Sequence, residues 1–140
     1  MNVDLKKARR ILEAENYTCV LCRGESVLTD TRRGIRPLLE LLEQPASWQG
    51  YSAADKVVGK AAAYLYQLLG VDAVYAQIIS QPAADVLHQH GIALEYARLV
   101  PAIRSRDGTG FCPMETAVLG IEDPAEALAA VKLTLSKLEK

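Results

Sequence analysis

The 140-residue chain lacks a charge excess of either sign, a long apolar run and an even set of cysteines. Its 16 basic and 17 acidic residues give a formal charge of −1, so no general attraction to nucleic acid is evident. No apolar run approaches the roughly 20 residues that a membrane span requires. The three cysteines follow no framework spacing, which is typical of a reducing compartment.

Targeting and cofactor signatures are missing as well. Residues 1–16 mix both charges with apolar residues at helical spacing, which is not the pattern of a signal peptide. The sequence also has no Gly-rich phosphate loop, nucleophile elbow or dinucleotide fingerprint. We therefore expect a cytoplasmic protein with no cofactor, no metal and no membrane or nucleic-acid partner.

The apolar residues, half of the total, are spaced as in one α/β domain spanning residues 1–140. A hairpin of two strands follows the first helix, and the strand–helix–strand unit over 73–100 predicts a parallel crossover. The fold class is therefore three-layer α/β/α with a mixed sheet. The spacing predicts helices over 3–15, 52–69, 82–90, 113–120 and 124–139, a short helix carrying Leu38 and Leu39, and strands over 17–22, 26–29, 73–79 and 93–100.

The predicted helix 52–69 contains the first group of candidate residues. Ser52 and Asp55 have the spacing of a capping box, so Asp55 is either a helix cap or a carboxylate at a pocket floor. Lys56 and Lys60 would share a helix face, where they either solvate the helix or attract an anion. Gly59 costs about 1 kcal/mol inside a helix, which predicts that another element or a ligand approaches its backbone closely.

The second group lies at Phe111-Cys-Pro-Met-Glu. Cys112 precedes Pro113, a favoured first helical residue, so its thiol is predicted at an N-cap, where it is either structural or reactive. Glu115 then falls in the first turn as a cap or an active carboxylate. In the preceding loop, Arg104 and Arg106 could present two guanidinium groups to an anion.

The stretch Tyr51-Ser-Ala-Ala-Asp-Lys-Val-Val-Gly-Lys-Ala, together with Phe111-Cys-Pro-Met-Glu, resembles an uncharacterised prokaryotic family of unknown function. That family is usually placed in the cytidine-deaminase-like superfamily, and the similarity spans nearly the whole chain. The resemblance implies a cytidine-deaminase-like fold. Deaminases hold zinc with a His or Cys two residues before a Glu, and with Pro-Cys-x-x-Cys on a second helix.

This sequence departs from the deaminase pattern at each zinc ligand. Ala53-Ala54-Asp55 and Pro82-Ala83-Ala84-Asp85-Val86 place Ala or Val where the ligands would be. Without them no zinc-bound hydroxide can form, so hydrolytic deamination by that mechanism is not expected. What the resemblance implies is a scaffold with a pocket.

Our leading hypothesis is a zinc-less deaminase-like protein that binds a small anionic or nucleotide-like ligand. The alternatives are a metal-free enzyme that uses Asp55, Lys56 and a nucleophilic Cys112, or a structural or interaction protein. The latter would assemble, for instance as a homodimer, through its Ala-rich or C-terminal helix. The candidate catalytic residues are Asp55, Cys112 and Glu115, and the candidate ligand-binding residues are Tyr51, Ser52, Lys56, Gly59, Lys60, Arg104 and Arg106.

Overall fold

A computed structural model describes residues 2–32, 34–103 and 112–138. Its helices are α1 Val3–Ala14, α2 Arg36–Glu43, α3 Lys60–Leu69, α4 Gln81–Gln89, α5 Pro113–Ala117 and α6 Pro124–Leu138. Its strands are β1 Cys19–Arg23, β2 Ser26–Asp30, β3 Ser52–Val58, β4 Ala73–Ser80 and β5 Ala93–Val100. None of the helices in these three ranges is long and apolar enough to cross a membrane.

The five strands form one mixed sheet in the order β2-β1-β3-β4-β5. β1 is antiparallel to both of its neighbours, whereas β3, β4 and β5 run parallel. β1 and β2 pair antiparallel, so the predicted hairpin is confirmed. β4 and β5 pair parallel and are joined through α4, so the predicted crossover over 73–100 is confirmed as well.

Two separate cores lie on the two faces of the sheet, which confirms the three-layer α/β/α architecture. One face is covered by α1, whose Leu5, Ala8 and Leu12 pack on β1, β3 and β4. The other face is covered by α2, α3, α4 and α6, which enclose the larger core. Successive strand residues point to opposite faces, so Ala53 contributes to the larger core and Ala54 to the core under α1.

The predicted helix 52–69 is wrong over its first half. Residues 52–58 form β3, and the helix begins at Lys60, with Gly59 as its N-cap residue. Ser52, Ala53 and Ala54 at the start of β3 are buried on both faces of the sheet, so this part of the strand shows no alternation of apolar and polar residues, as is usual for strands inside parallel sheets. Its Ala residues happen to extend the apolar stripe of the helix that follows.

The parallel arrangement brings two helix starts to the same edge of the sheet. The last residue of β3 is Val58 and that of β4 is Ser80. α3 begins directly after β3, and α4 directly after β4. These two helices also pack against each other. The amino termini of α3 and α4 therefore lie together at the carboxyl edge of the sheet.

Candidate functional site

The start of α3 is capped by a carboxylate from a distant part of the chain. Glu115, in α5, accepts the backbone N–H of Lys60 at Oε1 (2.6 Å) and that of Ala61 at Oε2 (3.0 Å). The first N–H groups of a helix have no partner within the helix and carry the positive end of its dipole. One carboxylate therefore satisfies two such donors and supplies the favourable charge.

Gly59 makes this close approach possible. A Cβ atom built at position 59 would overlap the carboxylate carbon and both oxygens of Glu115. The backbone at Gly59 is extended, with φ −95° and ψ 179°, a conformation that any residue can adopt. The glycine is therefore required by space and not by backbone conformation. The expected close approach to Gly59 is confirmed, and the approaching group is Glu115.

The segment that carries Glu115 is joined to α3 at a second point. Cys112 is the N-cap residue of α5 and Pro113 its first residue, as predicted. After α5, the Tyr64 hydroxyl of α3 donates a hydrogen bond to the Ile121 carbonyl oxygen at 2.7 Å. Glu115 lies in the first turn of α5, but the helix that its side chain caps is α3, so the prediction of simple capping within its own helix is wrong.

The helix starts at the carboxyl edge do not fit a zinc ion. Residues 59–63 are Gly-Lys-Ala-Ala-Ala, and residues 80–84 are Ser-Gln-Pro-Ala-Ala, so neither offers a His, Cys or carboxylate. The earlier comparison at Ala53-Ala54-Asp55 fell on β3 and not on a helix start. Across the three described ranges, no three His, Cys, Asp or Glu side chains are grouped to hold a metal ion.

Asp55 belongs to a different group of polar side chains, under α3. It lies in β3 opposite Cys19 of β1. Its Oδ2 accepts the Tyr66 hydroxyl at 2.7 Å, and that hydroxyl also lies 3.4 Å from the Cys19 sulfur. We call Cys19, Asp55 and Tyr66 the core polar cluster. Because Asp55 is in a strand, its predicted role in a capping box is wrong.

Burial controls the protonation of this cluster. Burial raises the pKa of Asp55 to about 6, against the opposing effect of the hydrogen bond from Tyr66. Burial also raises the pKa of the Cys19 thiol and that of Tyr66 well above their usual values, and the charge of Asp55 adds to both shifts. At neutral pH the cluster therefore contains a neutral thiol, a neutral phenol and a largely ionised carboxyl group.

Cys19 also forms part of the wall of a small cleft between the β1–β2 hairpin and α2. The cleft has a volume of about 190 Å³. At its rim the Arg32 guanidinium binds Asp30 and Glu40, with N–O distances of 2.8 and 2.6 Å. The other described wall residues are Leu21, Leu28, Thr29, Pro37, Leu41 and Gln44.

The predicted ligand-binding residues do not form one site. Tyr51 and Ser52 lie at the amino end of β3, where the Tyr51 hydroxyl bonds Ser26 and the buried Ser52 hydroxyl accepts from Asn2. The seven residues of β3, roughly 20 Å in length, lie between Tyr51 and Gly59. Arg104 and Arg106 lie outside the described residues.

Lys56 is also separated from its predicted neighbours. It lies in β3 and reaches Asn16, so it does not share a helix face with Lys60. As neighbours in a strand, Asp55 and Lys56 point to opposite faces of the sheet. A metal-free active site that combines these two side chains is therefore inconsistent with the fold. Gly59, Lys60 and Glu115 are the predicted residues that the structure brings together.

Sequence reasoning missed Tyr66 and the pairing of Cys19 with Asp55. One signal was available, because an Asp inside an apolar stretch requires a hydrogen-bond donor nearby. Identifying that donor required the correct secondary structure for residues 52–58. With β3 opposite β1 and α3 above them, a Tyr in the middle of α3 is within reach.

Comparison with known proteins identifies relatives of this chain. A family model described as "Domain of unknown function (DUF1893)" matches residues 7–135. The crystal structure of a DUF1893 family protein (TM1506) from Thermotoga maritima is similar with a TM-score of 0.85 and 30% sequence identity, over 98% of this chain and 92% of that chain. No protein of curated function matches the chain.

A dCMP deaminase from the cyanophage S-TIM5, solved in apo form, is similar at a lower level. The TM-score is 0.46 and the identity 17%, over 69% of this chain and 99% of that chain. A similarity of this size does not assign a fold or an activity to the chain.

Proposed function

We propose that this chain, which belongs to the DUF1893 family of unknown function, binds a small anionic ligand at the start of α3. The ligand carries a phosphate or carboxylate group, which takes the position of the Glu115 carboxylate. We use "anion position" for the place bounded by Gly59 and the N–H groups of Lys60 and Ala61. The membership of this family in the cytidine-deaminase-like superfamily stays a prediction.

The observation that supports this proposal is the way in which Glu115 is held. Two backbone N–H groups converge on its two carboxylate oxygens, and the missing Cβ of Gly59 leaves room for them. Phosphates and carboxylates bind in this manner at helix starts elsewhere. The neighbouring start of α4 lies at the same edge of the sheet and adds a second positive dipole end.

The Glu115 carboxylate is carried by a short helix with little buried surface of its own, although Val118 directly after it is fully buried. α5 is five residues long, and none of its described side chains is fully buried. Elements with little buried apolar surface open locally at low cost. A small anion can therefore exchange with Glu115 while α3 and the sheet stay folded.

Removing Glu115 tests this proposal by anion rescue. Glu115→Ala leaves two N–H groups without their acceptor and should cost about 1–3 kcal/mol of stability. Inorganic phosphate, sulfate and CMP are then titrated by thermal shift and calorimetry. We expect each to raise the Tm of the variant more than that of the wild type, with at least a tenfold gain in affinity, about 1.4 kcal/mol.

Two further variants locate the binding. Glu126→Ala removes a first-turn acidic residue of α6 and serves as the matched control, for which no anion rescue is expected. Gly59→Val in the Glu115→Ala background fills the anion position and should abolish the rescue. If anions stabilise Glu115→Ala no more than the control, or if Gly59→Val leaves binding unchanged, the proposal is wrong.

A further inference from the structure

The cleft between the β1–β2 hairpin and α2 separates two apolar surfaces that do not pack closely on each other. α2 packs against α3 and has few contacts with either hairpin strand. Leu21 and Leu28 are paired across the hairpin and lie on the face of the larger core. The opposite wall contains Pro37 and Leu41, one turn apart on α2. Because protein interiors are normally packed as densely as organic crystals, such a gap is a candidate binding site.

The volume of the cleft limits a ligand to about one ring. Pockets for drug-sized ligands measure roughly 300–1,000 Å³, whereas an apolar cavity of about 150 Å³ can hold a molecule of the size of benzene. The cleft measures about 190 Å³. A flat ring lying between the hairpin and α2 would contact both apolar walls.

Cys19 adds a sulfur atom to this apolar environment. The Tyr66 hydroxyl donates its proton to Asp55, so the Cys19 thiol donates to the Tyr66 oxygen, 3.4 Å away. Burial raises the pKa of this thiol well above its ordinary value, and the thiol therefore stays protonated at neutral pH. A neutral sulfur whose proton is already engaged is a polarizable contact, and such contacts favour aromatic rings.

The charged groups of the cleft already satisfy one another. Arg32 is the one basic residue among the described wall residues, and its guanidinium donates to both oxygens of Asp30 and both oxygens of Glu40. An anionic ligand would therefore meet no unpaired cation on the described part of the wall. A cationic ligand would have to compete with Arg32. Since burying an unpaired charge costs far more than burying a neutral group, the cleft favours an uncharged ligand.

We propose that this cleft binds a small, uncharged aromatic molecule, with its ring between the two apolar walls and beside the sulfur of Cys19. The ion pairs of Arg32 exclude charged molecules of the same shape. None of the described wall residues belongs to the anion position at the start of α3. This proposal and the proposed anion binding can therefore fail independently.

Three probes of nearly the same shape test the charge preference. Benzamide is uncharged, benzoate is an anion and benzamidinium is a cation. Each is titrated into the isotope-labelled full chain and followed by amide NMR. Benzamide should bind with a Kd on the order of 1 mM, shift the signals of β1, β2 and α2, and bind at least tenfold more tightly than either charged probe. The absence of benzamide-dependent shifts in these elements, or equally tight binding of a charged probe, overturns the proposal.

Two substitutions on opposite walls locate the binding. Leu28→Trp and Leu41→Trp, at half-buried positions, each fill the cleft and should abolish benzamide binding. Circular dichroism and Tm show which of them remain folded. Leu133→Trp is the matched control, since Leu133 is 58% exposed on α6, and it should bind benzamide as the wild type does. Binding that survives in a folded cleft variant, or that the control loses, lies elsewhere and contradicts the proposal.

Arg32→Ala tests the origin of the charge preference. It leaves Asp30 and Glu40 without their guanidinium partner, so benzamidinium should gain at least tenfold in affinity and benzoate should not. Arg9→Ala is the control, because it removes a comparably exposed ion pair on α1 and should leave the preference unchanged. If Arg32→Ala and the wild type prefer the three probes in the same proportion, the ion pairs of Arg32 do not exclude charged ligands and this part of the proposal is wrong.

Discussion

At the scale of single residues, the side chain of Glu115, which is distant in sequence, restricts which residue can occupy position 59 at the start of α3. Gly59→Ala adds a methyl group where the Glu115 carboxylate lies, without imposing backbone strain. We expect it to lower the free energy of unfolding by about 1–3 kcal/mol, the usual cost of overpacking. Urea denaturation measures this change.

A double-mutant cycle separates this steric effect from the preference of an N-cap position for glycine. Once Glu115 is alanine, the methyl group at position 59 has room, so Gly59→Ala should then cost only that N-cap preference, less than about 1 kcal/mol. The coupling between the two substitutions should exceed about 1 kcal/mol. Additive effects would mean that the cost of Gly59→Ala arises elsewhere than at Glu115.

Asp55, in the core polar cluster, makes the free energy of unfolding depend on pH. Its pKa is about 6 in the folded protein, against an ordinary 3.8, so the folded state binds more protons between those pH values. The free energy of unfolding therefore falls as pH rises from about 4 to 6, by an amount on the order of 3 kcal/mol. Below this window Asp55 is protonated in both states.

Asp55→Asn tests this pH dependence, because the amide does not titrate. Denaturation curves between pH 4 and 7 should show a flatter stability profile for Asp55→Asn than for the wild type. Asp85→Asn, a substitution at an exposed position on α4, is the control and should keep the wild-type slope. If Asp55→Asn has the same slope as the wild type, Asp55 does not carry the pH dependence.

The sequence predicted which residues belong to the candidate site, but it did not predict which residues contact one another there. Local rules were enough to place Cys112 at an N-cap and to require a close neighbour at Gly59. That this neighbour is Glu115, 55 residues beyond Lys60, depends on how α5 packs against α3. Local spacing contains no such information, so each acidic residue was assigned to the helix nearest in sequence.

At the scale of elements, the sequence predicted the helical part of residues 52–69, which is α3, but it did not predict the strand β3 that precedes it. The strands and helices whose apolar period matches their burial were found within a few residues. β3 was missed because strands buried on both faces lose their two-residue period, and alanine favours helices. The Val57-Val58-Gly59 run contained the opposing signal, since β-branched residues favour strands and glycine interrupts helices.

α1 depends on one polar residue at its start. Asn2 Oδ1 accepts the Leu5 N–H at 2.9 Å, and its Nδ2 donates to Ser52 of β3 at 2.9 Å. Asn2→Ala removes the cap and leaves the buried Ser52 hydroxyl without this donor. We expect a loss of about 1–2 kcal/mol in chemical denaturation.

Asn16→Ala, near the other end of α1, is the matched control for Asn2→Ala. Asn16 receives a long, exposed hydrogen bond of 3.5 Å from Lys56, so its replacement should change stability by less than about 0.5 kcal/mol. Equal losses for the two variants would contradict a specific role for Asn2 in holding α1 against β3.

At the scale of the whole molecule, coverage of the sheet is unequal from one side to the other. β3 and β4 lie between helices on both faces, and their side chains supply both cores. β2 and β5 are edge strands, and all of their residues are exposed or half-exposed. Stability should therefore be highest at the centre of the sheet and decrease toward both edges.

Native-state hydrogen exchange measures this gradient directly. The slowest amides should lie in β3, β4 and α3, where exchange requires global unfolding, and those of β2 should exchange through local opening. The amides of β5, the other edge strand, should also exchange through local opening, faster than those of the central strands. Exchange from β2 and β5 that is as slow as exchange from β3 and β4 would contradict this gradient.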